Sequence, residues 1–265
     1  MNFISKKRQF LFGLALLLIA GFASPVAFAA DGDYYQLKIY HLKTKAQEDR
    51  LDQYLQNAYL PALHKMGIKT VGVFKPVEQD TAADKKVYVL VPFSSLKKLT
   101  TIDQALNADQ QYLANGKDYL EANYKDAAFT RMETVILQAF PKMLHPAVPN
   151  LSSPKTERVY ELRSYESPTE KYNRNKVKMF NDGNEVALFK RLNFNAVFYA
   201  EVLAGSHMPN LMYLTAFNNK QDRDKHWETF SNDTEWKALS ARPEYQNNVS
   251  RNDMVFLHPT AYSDF

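Results

Sequence analysis

A segment that recurs at a fixed distance constrains a chain more tightly than composition does, because both copies must adopt the same local structure. In this sequence YQLKIYHL at 35–42 resembles YELRSYES at 160–167, an offset of 125. HKMGIKTVGVF at 64–74 parallels KRLNFNAVFYA at 190–200 with an offset of 126. VYVLVPFSS at 87–95 parallels LMYLTAFNN at 211–219 with an offset of 124, and Asp109 with Tyr112 matches Asp233 with Trp236 at the same spacing. Four anchors at nearly constant offset identify an internal duplication.

Each copy reads as β-α-β-β-α-β. In the first, strand 34–41 leads to a helix at about 45–65 with the apolar stripe Leu51, Leu55, Ala58 and Ala62. Pro61 is expected to kink or split that helix, and Gly67 to follow its C-terminus. Strands 68–75 and 86–93 follow, then a helix capped by Ser94, a short helix from Asp109 and a closing strand at 131–140. The second copy has strand 158–165, a helix at about 169–192 interrupted at Asn181-Asp182-Gly183, and strands 196–203 and 210–217. Asn218 is expected to cap the next helix, Asp233 another, and strand 252–258 closes the unit.

This order is the ferredoxin-like plan, a four-stranded antiparallel sheet with helices on one face. The bare face needs cover, and the duplicate sheet supplies it. The expected class is therefore α+β, with two tandem ferredoxin-like units forming a pseudo-dimeric α+β barrel within one chain. The divisions are a signal peptide at 1–29, a degenerate first repeat at 30–140, a proline-rich linker at 141–157 and a second repeat at 158–265.

The signal reading rests on basic Lys6, Lys7 and Arg8, an apolar run from Phe10 to Ala23, and Ala27-Phe28-Ala29 as a cleavage site near Ala29/Ala30. Export to the periplasm or medium follows, with no stable membrane span in the mature chain, since the run is shorter than the roughly 20 residues a bilayer needs. The formal charge of +4 loses three with that segment. No basic stripe points to nucleic acid. The absence of cysteine excludes disulfides and thiolate chemistry. The six histidines show neither an i, i+4 pair nor H-E-x-x-H, so no metal site is predicted, and no cofactor motif is present. A nucleophile elbow and a glycine-rich phosphate loop are also missing.

Alternation sorts the strand residues into faces. If helices take the purely apolar sides, Glu161, Arg163, Tyr165, Tyr199 and Glu201 line the barrel interior as a half-polar pocket for a small molecule; the alternative is a buried network of mutually satisfied ion pairs. Asn181, at the helix break, and Asn210, at the end of the Gly205–Asn210 turn, extend the set of ligand-binding candidates. Tyr165, Tyr199 and His207 are the candidate acid/base groups. Trp227 and Trp236 read as core anchors.

The second copy resembles the NIPSNAP family. The resemblance is carried by VYELRSYES (159–167), ALFKRLNFNAVFYAEVLAGSHMPNLMYLTAF (187–217), DKHWETFSNDTEWKALS (224–240) and YQNNVSRNDMVFLHPTAYSDF (245–265). The first copy keeps the strand pattern but lacks G-S-x-M-P-N and H-W. The resemblance implies the dimeric α+β barrel superfamily fold. It leaves activity open: family members in eukaryotes are linked to vesicle traffic and mitochondrial quality signalling, and related barrels include cofactor-free monooxygenases and haem proteins. Three readings follow: a small-molecule binding protein; a cofactor-independent oxygenase or isomerase, with a haem variant using His41 or His258 as axial ligand; and a structural protein, with homo-oligomers an expected partner state.

Overall fold

The computed structural model describes residues 32–78 and 83–265; the signal-peptide reading at 1–29 lies outside them. The first copy contributes strands β1 (Tyr34–Leu42), β2 (Gly72–Pro76), β3 (Lys85–Phe93) and β4 (Arg131–Ala139). The second contributes β5 (Val159–Glu166), β6 (Ala196–Ala204), β7 (Asn210–Phe217) and β8 (Arg251–Pro259). All pairings are antiparallel and the eight strands close into a barrel in the order β1-β3-β2-β8-β5-β7-β6-β4. Each copy therefore keeps the ferredoxin-like strand order. The seams between copies are β4 on β6 and β2 on β8, so no sheet edge is left free. The α+β barrel of two ferredoxin-like units expected from the duplication is the fold observed.

Outside the sheet, the first helical segment runs as α1 (Lys45–Tyr54), a π-helical stretch (Leu55–Tyr59) and α2 (Leu60–Lys65). Pro61 falls in the first turn of α2, where its missing N–H is not needed. Gly67 takes φ +86° just beyond it, a left-handed conformation that favours glycine. Next come α3 (Leu96–Asn107), α4 (Gln110–Asn115) and α5 (Lys117–Leu120). The second copy carries α6 (Glu170–Asn181), α7 (Glu185–Arg191), α8 (Lys220–Asn232) and α9 (Thr234–Ser240); of the predicted break Asn181-Asp182-Gly183, Asn181 still belongs to α6 and the interruption spans 182–184. Asp109 and Asp233 cap α4 and α9 through their side chains.

Two caps lie one residue beyond the expected ones. Ser95, not Ser94, accepts the Lys98 N–H, and Asn219, not Asn218, accepts the Asp222 N–H. Asn218 is occupied elsewhere: its side-chain oxygen accepts the backbone N–H groups of Ser152 and Ser153, tying the interrepeat segment to the barrel end.

Three cores result. One fills the barrel, with Tyr35, Leu37, Phe74, Leu90, Leu137, Tyr160, Leu162, Phe198, Ala200 and Leu214 among its members. Leu151 and Phe265 join this core at the end where β1 and β5 begin. The other two lie between sheet and helices, one in each copy. No described helix is long and apolar enough to cross a membrane.

Candidate functional site

The strand registers reverse the expected assignment of faces. In β5 the residues turned into the barrel are Tyr160, Leu162 and Ser164, and in β6 they are Phe198, Ala200 and Val202. Glu161, Arg163, Tyr165, Tyr199 and Glu201 face the helices instead, so they do not line a barrel pocket. The physical reason is enclosure. Eight strands surround the interior on every side, leaving few partners for a charge there, whereas α8 brings polar groups to the outer face.

That outer network is fully assembled. Glu161 has no solvent exposure. It accepts from Arg163 Nε at 2.6 Å, from Arg223 Nε and Nη2 at 2.8 Å each, and from the Trp227 indole N–H at 2.7 Å. Arg163 stacks on Trp227 with its guanidinium 3.9 Å from the ring centre, and it donates to the Tyr165 hydroxyl, which lies 2.7 Å from that of Tyr213. Burial alone would raise the Glu161 pKa, but the hydrogen bonds and charges of Arg223 and Arg163 outweigh it and hold the carboxyl below its usual range. Trp227 and Trp236 pack at the edge of the same layer. The Tyr199 phenol is pushed well above its ordinary pKa by burial and then by Glu185, which keeps it protonated. Burial likewise raises the pKa of Glu201, which takes a hydrogen bond from Asn173 of α6. Asn181 accepts the Lys142 N–H and donates to the Val177 carbonyl, a brace between helix and interrepeat segment. Of the ligand-binding and acid/base candidates, only Asn210 and His207 face the open end of the barrel.

That open end is the cavity, about 360 Å³, at the C-terminal ends of β1 and β5. Its walls are apolar: Ile39, Tyr88, Val135, Leu162, Val202, Met212 and Val255. Its rim is polar and built twice. In the first copy His41, at the end of β1, is 5% exposed. Its Nδ1 lies 2.8 Å from Asp84 in the β2–β3 hairpin and its Nε2 lies 2.8 Å from Glu133 on β4. Arg131 Nη2 also lies 3.2 Å from Nε2, so both ring nitrogens have partners and the ring is held between them.

The second copy repeats this constellation with the roles exchanged. Glu166 occupies the β5 position equivalent to His41, the repeat offset of 125 separating them. Asp253 pairs with Ser164 as Glu133 pairs with Ile39, and Ser164 is the counterpart of Ile39 at the same offset. The histidine has moved to the hairpin: His207 Nδ1 lies 2.9 Å from Glu166 Oε1. Arg251 Nε reaches Asp253 at 2.9 Å and Glu166 at 3.8 Å. Gly205 lets this hairpin lie against the rim, since a Cβ there would come within 3.2 Å of the Val135 side chain. Sequence reasoning missed His41, Glu133, Glu166 and Asp253 as rim residues, although Arg131-x-Glu133 recurs as Arg251-x-Asp253 at an offset of 120, shorter than that of the four anchors.

The haem variant does not fit these residues. Both ring nitrogens of His41 are taken by carboxylates, and His258 alternates with the inward-facing Val255 and Leu257 of β8, placing it on the outer side of the sheet.

Two solved structures with TM-scores above 0.5 agree with the fold. A candidate monooxygenase from Lactobacillus acidophilus NCFM is 11% identical over 86% of this chain and 94% of its own, with a TM-score of 0.54. A candidate monooxygenase from Fusobacterium nucleatum subsp. nucleatum ATCC 25586 is 6% identical over 86% and 93%, with a TM-score of 0.56. A NIPSNAP family protein from Agrobacterium tumefaciens str. C58 is 18% identical, covering 40% of this chain and 97% of its own, with a TM-score of 0.36. No curated protein matches the chain. The family match falls on the copy that carries the open rim: residues 160–264 match the NIPSNAP family model.

Proposed function

We propose that this chain, exported after cleavage near Ala29/Ala30, binds a small molecule with an apolar body and a polar end at the open mouth of its barrel. The observation that carries this reading is the cavity of about 360 Å³ with apolar walls and a hydrogen-bonding rim, a size within the roughly 300–1,000 Å³ of small-ligand sites. The rim charges largely offset one another, with Lys86, Arg131 and Arg251 beside Asp84, Glu133, Glu166 and Asp253. A ligand without net charge therefore suits it. A thermal-shift screen with aromatic and alicyclic alcohols, ketones and amides tests the reading. A binding compound raises Tm in the wild type, and Val255→Phe, which fills the cavity from its wall, abolishes that rise. If no compound shifts Tm, or if Val255→Phe responds like the wild type, the reading is lost. Mass spectrometry of the mature chain checks the cleavage.

A second reading, a cofactor-independent oxygenase, is favoured by one observation: His207, paired with Glu166, lies on the cavity wall as a general base would. The names of the Lactobacillus and Fusobacterium neighbours point the same way. Oxygen consumption with electron-rich phenols, lost in His207→Ala, is its expected result; absence of turnover across the panel rejects it.

A further inference from the structure

The duplicated rim contains two triads of the same composition, and they differ in what their donor atoms can do. Around His41 the two carboxylates lie on opposite sides of the ring, one on each nitrogen. No point in space faces all three groups. Around His207 the arrangement is convergent. One donor atom each from Glu166, His207 and Asp253 all lie within 4.8 Å of one another. Metal–oxygen and metal–nitrogen bonds of about 2.0–2.2 Å place neighbouring ligands roughly 3–4 Å apart, so small side-chain rotations bring these atoms onto one ion.

A second observation points to the same place. Asn210, directly across from Glu166 in the β5–β7 ladder, is 3% exposed and faces the mouth. Its amide nitrogen donates to Ser164 at 2.8 Å, while its Oδ1 is buried with no hydrogen-bond partner among the described residues. A buried acceptor left unpaired is costly. A cation, or a water bound to one, would satisfy it. We propose that Glu166, His207 and Asp253, with Asn210 Oδ1 behind them, form a site for one divalent transition-metal ion such as Zn²⁺ or Mn²⁺. An imidazole with two carboxylates favours such ions over Mg²⁺ and Ca²⁺, which take oxygen ligands. The site needs no organic ligand in the cavity, so it and the proposed function can each fail alone.

Arg251 gives the proposal a distinctive signature. Its guanidinium bonds Asp253 and approaches Glu166. It therefore balances the two carboxylates when no ion is present and must swing aside when one binds. Its side chain is 62% exposed, which leaves it free to do so.

The test is titration of the untagged full chain with MnCl₂, read by loss of the free-ion electron paramagnetic resonance signal, and with Zn²⁺ against a chromophoric chelator. One ion per chain is expected. His207→Ala and Asp253→Asn should each weaken binding by more than about tenfold, whereas Arg251→Ala should tighten it severalfold. Val255→Phe should leave ion binding intact while removing any small-molecule effect. Absence of binding up to millimolar ion, or His207→Ala binding like the wild type with an unchanged circular-dichroism spectrum, overturns the proposal. Weaker rather than tighter binding in Arg251→Ala would also count against it.

Discussion

Glu161 shows what one residue can and cannot reveal from sequence. Its place in an alternating strand was legible. Its direction was not, because a carboxylate between Leu and Tyr neighbours fits either face until its partners are known. Those partners, Arg223 and Trp227, lie more than 60 residues away on α8. With both arginines pressed on one buried carboxylate, Glu161→Gln should destabilise the fold by about 3–5 kcal/mol at pH 7 in urea unfolding, since it leaves buried guanidinium charge uncompensated. The folded-state pKa of Glu161 is depressed, so its contribution is present above the unfolded carboxylate value, about 4.3, and is lost as pH falls through the folded value. The gap between wild type and Glu161→Gln should therefore narrow as the medium is acidified below about pH 4.

Among elements, periodicity and punctuation located strands and helices, but capping was settled by side-chain direction. Ser94 is exposed and Ser95 bonds Lys98 N–H. Ser95→Ala should cost about 1 kcal/mol in thermal or chemical unfolding, whereas Ser94→Ala should change stability by less than about 0.5 kcal/mol. Equal effects would contradict the observed cap. The rim illustrates the complementary limit. His41, Asp84 and Glu133 come from a strand end, a hairpin and the fourth strand of one unit. Nothing in local spacing announces that they meet; the β1–β4 register brings Glu133 to His41 and the β1–β3 register brings Asp84.

For the whole molecule, the repeat made the architecture readable, since a sheet with one uncovered face requires its duplicate. Closure by β2 on β8 and β4 on β6 carries a further expectation. Residues 158–265 expressed alone would expose both an apolar sheet face and two edge strands, and should self-associate into dimers or larger species by light scattering. Adding residues 32–140 in trans should convert them to a one-to-one pair; a stable, monomeric second half would refute this. The exchanged positions of histidine and acid at the two rims have a consequence for evolution and for binding curves. A barrel assembled from two identical subunits cannot change one rim without changing the other, and it must offer its ligands two equal places. Joining the copies in one polypeptide lifts that constraint: His41 can be committed to holding its own rim together while His207 is released to vary. Ion titrations should accordingly saturate at one ion per chain along a single hyperbola, where two equal rims would take two.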